Sequence, residues 1–190
     1  MRVNSLLMCT LCLGIVAVWI VAGHIGTQAA TANSTNVAGE LQTRAKQYLD
    51  FRKKIAGSAP RPTGTPAKIT EAQRELANKI RVARAGVKQG AIFTPEIAEF
   101  VRRQIASALA GADGQKIRFS LQNAEPVNLT LQVNESYPEK IPLQSTPPSL
   151  LLNLPELPKG LEYRLVGREL VLRDVDANII VDYVPNALPS

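Results

Sequence analysis

Beyond residue 24 this 190-residue chain has no cysteine, no histidine and no tryptophan. Its two cysteines are Cys9 and Cys12, its single histidine is His24 and its single tryptophan is Trp19. Each absence closes a class of chemistry for the rest of the chain. Without cysteine there is no disulfide and no thiol nucleophile, and without histidine there is no imidazole base. Ser-His-Asp and Cys-His mechanisms are excluded there by composition, as are metal centres ligated by His or Cys. Aromatics are sparse too, with 4 Phe and 4 Tyr in all. The basic stretch Arg74–Lys88 has no interleaved aromatics of the kind that stack single-stranded bases, and an exported protein rarely meets DNA, so no nucleic acid partner is expected.

What stands in front of that segment is an export leader. Arg2 precedes Leu6–Gly23, an uncharged run of 18 residues, and small residues follow. Ala30-Thr31-Ala32 fits an A-x-A cleavage pattern, with Thr27-Gln28-Ala29 as a second choice. Residues 1–32 therefore read as a signal peptide. The run exceeds the ~7–15 residues of an ordinary leader core and matches the ~17–25 of a spanning helix. The alternative is an uncleaved anchor over residues 6–25, with membrane contact in that case alone. Neither cysteine fits a lipoprotein box, because Met8 and Leu11 stand where a small residue is needed. The expected location is periplasmic or secreted.

The net charge of +6 is unevenly spread. Residues 40–104 carry 14 Lys/Arg against 6 Asp/Glu, and residues 105–190 carry 7 against 10. A basic half thus precedes a mildly acidic one. This asymmetry suits contact with an anionic surface, and it equally lets the two halves attract each other.

The basic half reads as helices. Residues 40–56 place Leu41, Ala45, Tyr48 and Leu49 near one stripe, and Gly57 can end that helix. Residues 31–39 read as a polar spacer before it, and 57–69 as a Pro/Gly linker. Residues 70–90 predict a second helix, with Thr70 as cap and Leu76, Ile80, Ala83 and Val87 as its apolar face. Arg74, Lys79, Arg81, Arg84 and Lys88 line much of the remainder and are the candidates for anionic-surface contact. Thr94-Pro95-Glu96 opens a third helix over 94–110, with Ile97, Phe100, Val101, Ile105 and Leu109 inward and Gly111 as its stop.

The other half reads as a sheet. KIRFSL (116–121) and PVNLTLQV (126–133) alternate as strands. Six prolines between Pro138 and Pro158 predict an extended crossing, with room for one helical turn at Ser149–Asn153. LEYRLVGRELVLRDVDANIIVDYV (161–184) reads as a three-stranded meander. Gly167-Arg168 makes its first turn, and Asp174–Asn178 its second. Strict alternation puts Glu162, Glu169 and Asp182 on its solvated face, beside Arg164 and Arg173. The expected fold class is α+β: basic N-terminal helices (about 40–56, 70–90, 94–110), then an antiparallel sheet of about five strands with a proline-rich crossing. Residues 70–187 are expected to form a single small domain.

Asp174, Asp176 and Asn178 repeat the first half of an EF-hand loop, but Ile179 replaces the required glycine and Pro185 the final glutamate. These three are the oxygen-ligand candidates for calcium, the only cofactor suggested, with a plain hairpin turn as the simpler reading. The sequons at Asn33, Asn128 and Asn134 matter in a glycosylating cell alone.

At TPEIAEF (94–100), PPSLLLNLP (147–155) and LEYRLVGRELVLRDVDANIIVDYVP (161–185) the chain resembles an uncharacterised family of exported bacterial proteins. Its members end in an LEYRxxGxxLxLxDxxANxIVD-type segment. The resemblance covers most of residues 45–187 and implies a bacterial periplasmic or secreted setting. It carries no activity and no catalytic residues.

The expectation that follows is an exported, non-enzymatic binding or interaction module of the bacterial envelope. It would meet an unknown protein partner or an anionic envelope surface. The alternatives are a hydrolase built on carboxylates and a membrane-tethered structural protein of the envelope.

Overall fold

The computed structural model describes residues 25–57, 65–123, 130–138 and 147–189, with side chains from Ser34 onward. The fold is α+β. Helices α1 (Ile25–Ala56), α2 (Pro66–Ala83), α3 (Pro95–Ala110), α4 (Gly114–Gln122) and α5 (Pro148–Leu151) precede strands β1 (Leu161–Val166), β2 (Glu169–Asp174) and β3 (Ile179–Val184). The residues expected as a leader lie mostly outside the described residues. Among the described residues no helix is long and apolar enough to cross a membrane.

α1 runs through the stretch expected as a spacer. Val37, Leu41, Ala45 and Tyr48 recur at four, four and three residues, so one face is buried without a break. Gly57, at φ +62°, ends it in the left-handed conformation that glycine adopts without strain. α2 starts at Pro66 instead of Thr70, because proline at the first helical position brings a preset φ and no N–H to satisfy. The Thr70 hydroxyl instead donates to Pro66 O at 3.1 Å. α2 also stops at Ala83, well short of Gly90. Its buried residues are Ala77, Ile80 and, just past its end, Arg84, while Ala83 is exposed. α3 begins where Thr94-Pro95-Glu96 places it, with the Thr94 hydroxyl accepting from Ile97 N and Ile97, Phe100, Val101, Ile105 and Leu109 buried.

The first expected strand is a helix. In KIRFSL only Ile117 is fully buried, Leu121 is half-buried and Phe119 is 69% exposed. The apparent two-residue period hides a four-residue one, and α4 folds back onto α3. Arg118 Nη1 donates to Leu109 O at 2.6 Å and so caps the carbonyl end of α3. Of the second expected strand, residues 126–129 lie outside the described residues, and 130–133 join no strand among the described residues. Pairing comes just after: Asn134 N donates to Ile180 O (2.8 Å), Ile180 N to Glu135 O (2.9 Å) and Tyr137 N to Asn178 O (2.8 Å). This segment runs along β3 with one isolated bridge, Ser136 to Ile179. The sheet therefore has three strands among the described residues, in the order β1-β2-β3, all antiparallel.

The meander matches its sequence pattern in β1 and β2. Val166 pairs with Glu169 across Gly167-Arg168, and Gly167 sits at φ +59°. In β3 the register slips: Leu172 faces Asp182, while Arg173 faces Ile180, so Val181 is an extra residue. That bulge reverses the alternation. Asp182 turns inward with Val184, and Ile180 turns outward. The inner face packs Leu161, Tyr163, Leu165, Leu170 and Leu172 against α1, α3 and α5 in the main core. The outer face, Val166, Val171 and Ile180, is covered by Leu131 and Tyr137. α2 closes the turn end of the sheet through Ala77 and Ile80 against Ala177 and Ile179.

Candidate functional site

The Asp174–Asn178 turn meets α1 through Asp174 and Asp176, while Val175 and Asp176 stay exposed. Tyr48 and Arg52 stand one helical turn apart on α1 and both reach Asp174, which is fully buried. Its Oδ2 accepts from the Tyr48 hydroxyl at 2.8 Å. Its Oδ1 accepts from Arg52 Nη1 (2.7 Å), Asp176 N (2.9 Å) and Ala177 N (3.0 Å). Arg52 Nη2 lies 2.9 Å from Asp176 Oδ2, so one guanidinium forks between the two carboxylates. Asn178, at φ +51°, accepts at Oδ1 from Arg173 Nε and Nη2 (3.0 and 2.7 Å) and donates from Nδ2 to Tyr137 O (3.2 Å).

The three calcium candidates Asp174, Asp176 and Asn178 thus face hydrogen-bond donors, and an arginine occupies the gap between the two carboxylates. No group of three or more Asp, Glu, His or Cys side chains converges among the described residues. The signal for this contact was present in the sequence, as Tyr48 and Arg52 four apart on an otherwise amphipathic helix.

Asp182 is the second buried carboxylate, and its placement corrects the solvated position that strict alternation assigns. It accepts from Gly90 N (2.9 Å), Ile92 N (2.7 Å), Phe93 N (2.8 Å) and its neighbour Tyr183 N (2.9 Å). The α2–α3 connection wraps this carboxylate. The carboxylate satisfies backbone donors that burial would otherwise orphan. Gly86 and Gly90, at φ +84° and +94°, give the connection its shape. This is why α2 cannot run on to Gly90.

Arg84 also departs from its expected role. It is 7% exposed, its guanidinium carbon lies 5.0 Å from the Tyr48 ring centroid, and Nη2 donates to Val181 O at 3.1 Å. Burial lowers the pKa of this guanidinium, while nearby Tyr48 and Asp182 oppose the shift. Burial likewise pushes the Tyr48 phenol well up, reinforced by the charge and hydrogen bond of Asp174. These groups form an internal polar layer between helices and sheet.

Of the remaining cation candidates, Arg81 is engaged internally, donating to Asn134 O (3.0 Å), Asn78 Oδ1 (2.7 Å) and Ser136 Oγ (2.7 Å). Lys79 pairs with Glu75 at 2.8 Å. Arg74 and Lys88 are exposed and make no ion pair among the described residues. The same holds for Lys46, Lys53 and Lys54 on α1, which are not among the surface-contact candidates of the second helix. Lys46 and Lys53 rim a cleft of about 420 Å³ between α1 and α2, floored by Leu49, Ala56 and Leu76, with Asp50 and Asp176 also on its wall. A second cleft, about 330 Å³, lies between α2 and the 136–138 segment and includes Arg74, Ser136 and Tyr137.

On the outer sheet face Glu162 pairs with Arg173 across the strands and with Arg164 on its own strand. Glu162 accepts from Arg164 Nε and Nη2 (2.7 Å each) and from Arg173 Nη1 (2.6 Å). Burial alone would raise the Glu162 carboxyl, but the two arginines outweigh it and hold it below the usual range. Arg173 also stacks on Tyr137, 4.9 Å from the ring centroid. Asn134 of the third sequon is buried, with Nδ2 donating to Arg84 O at 3.1 Å.

No family model, no curated protein and no solved structure matches this chain.

Proposed function

We propose that this chain is an exported, non-enzymatic binding module of the bacterial envelope, whose basic helical half contacts an anionic surface or a protein partner. The observation that carries the reading is an imbalance of pairing. Three carboxylates of the acidic half are consumed internally: Asp174 by Tyr48 and Arg52, Asp182 by backbone N–H groups, and Glu162 by two arginines. Among the described residues the exposed cations Lys46, Lys53, Lys54, Arg74 and Lys88 of the basic half make no ion pair. An anionic surface is the partner this leaves room for, at roughly 1 kcal/mol per lysine or arginine near the surface. The bacterial setting rests on the family resemblance, and export rests on the leader over residues 1–32.

Binding of the protein to vesicles containing anionic lipid, measured by co-sedimentation at low and high salt, tests this reading. Retention should fall as salt rises, because exposed charges are screened beyond about 10 Å at 0.1 M. Salt-independent retention would remove the electrostatic part.

A carboxylate hydrolase is the second reading, favoured by Asp50 and Asp176 sharing the α1–α2 cleft. Asp176 is held there by Arg52, which suits a structural carboxylate better than a proton carrier. Detectable glycoside or ester hydrolysis lost in Asp50→Asn would revive it. The tethered alternative, with residues 6–25 retained, is separated by N-terminal sequencing of the purified chain, where a start near residue 30–33 would sink it.

A further inference from the structure

Lys46, Leu49, Asp50, Lys53 and Ala56 recur at three and four residues and so share one stripe of α1. With Leu76 of α2 and the Asp176 turn, that stripe encloses a cleft of about 420 Å³, within the range of small-molecule sites. One wall is charge-balanced, because Arg52 forks between Asp174 and Asp176. Leu49, Ala56 and Leu76, all half-buried, make an apolar floor. Lys46, Asp50 and Lys53 are exposed, and none of the three makes an ion pair among the described residues. Lysine and aspartate three or four apart on a helix gain little from pairing with each other, so a ligand's charges readily replace that contact. The cleft thus offers charges of both signs, in alternation, beside apolar surface. Along the axis Lys46 and Asp50 stand ~6 Å apart and Asp50 and Lys53 ~4.5 Å apart, from the rise of the helix.

We propose that this cleft binds a small zwitterion, an amino acid or dipeptide with free ammonium and carboxylate groups and an apolar side chain. Asp50 takes the ammonium, a flanking lysine takes the carboxylate, and the side chain lies on the floor of Leu49, Ala56 and Leu76. Two extended residues span at most ~7 Å, which lets a dipeptide reach from Asp50 to either lysine. A plain anion would meet repulsion from Asp50, and a plain cation repulsion from two lysines. The alternation of signs therefore favours a ligand that carries both. Lys46 and Lys53 also serve the surface contact proposed above, but Asp50 and the apolar floor do not, so the two readings can fail separately.

The test is a titration of the protein, expressed from its full-length sequence, with leucyl-alanine and with free leucine, followed by amide NMR shifts of Leu49, Asp50, Lys53 and Leu76. Saturable shifts are expected there, and whichever of the two binds more tightly identifies the source. N-acetyl-leucyl-alanine lacks the ammonium and leucyl-alanine amide lacks the carboxylate, so each should bind at least ~10-fold more weakly than leucyl-alanine. Asp50→Asn should weaken leucyl-alanine at least ~10-fold while leaving the unfolding midpoint unchanged, since Asp50 is exposed and holds no partner among the described residues. The same variant should bind anionic vesicles at least as well as the parent, because it removes a negative charge. The proposal is overturned if neither leucine nor leucyl-alanine shifts the cleft amides at about 20 mM. It is equally overturned if the capped dipeptides bind as well as the free one, or if Asp50→Asn binds leucyl-alanine like the parent.

Discussion

Removing the Asp182 carboxylate should unfasten the α2–α3 connection. Asp182→Ala deprives Ile92 N and Phe93 N of their acceptor in buried surroundings, and Gly90 N and Tyr183 N in partly buried ones. An orphaned buried donor costs about 1–3 kcal/mol. With two donors fully and two partly orphaned, a loss of about 3–6 kcal/mol is expected, a large share of the ~5–15 kcal/mol typical of a whole domain. Asp182→Asn keeps one acceptor oxygen but turns an NH2 toward two of the donors, and should cost about half as much. Urea unfolding followed by far-UV circular dichroism measures both, and the midpoint should fall with the slope preserved. If Asp182→Ala lies within about 0.5 kcal/mol of the parent, the carboxylate does not hold the connection and the reasoning is refuted.

Three further perturbations separate the parts of the fold. Glu162 is held below its ordinary value near 4.5 by its arginines, so its share of stability is present above that value. That share is lost as pH falls through the lowered one. Glu162→Gln should flatten the acid limb of a stability–pH curve, and an unchanged limb would count against the pairing. Tyr48 is shifted the other way, so stability is full below pH 10, the ordinary tyrosine value, and falls as pH rises past it. Tyr48→Phe should make that alkaline loss shallower, with Tyr163, also raised by burial, supplying a remainder. Gly114→Ala would drive a Cβ into Leu109 O, whereas a Cβ at Gly39 meets nothing within 4 Å. Thermal melts should therefore show Gly114→Ala clearly destabilised and Gly39→Ala stabilised by about 0.5–1 kcal/mol.

The elements legible in the sequence were those whose signals are local. Thr94-Pro95-Glu96 fixes the start of α3 by its own backbone chemistry, and Gly167 fixes the first hairpin. The fold departs from the local pattern where a tertiary contact decides. KIRFSL satisfies period two and period four at Ile117 and Leu121, and packing on α3 selects the helix. The run Ile179-Ile180-Val181 is apolar at successive positions, so it cannot declare which residue the bulge will skip. That skip moves Asp182 from water to the interior. Arg84 reads as a surface cation by type, but it lies in line with Ala77 and Ile80 at helical spacing and is buried with them. Lys46, Lys53 and Lys54 were visible as charges, but not as unpaired ones, because pairing depends on which carboxylates the sheet withdraws.

The claim that the basic helical half is a contact surface is tested most directly by neutralising the α1 lysines together. In Lys46→Gln/Lys53→Gln/Lys54→Gln, affinity for anionic vesicles at low salt should fall roughly 100-fold, from about 1 kcal/mol per charge, with the unfolding midpoint unchanged. Vesicle affinity equal to that of the parent would contradict the account.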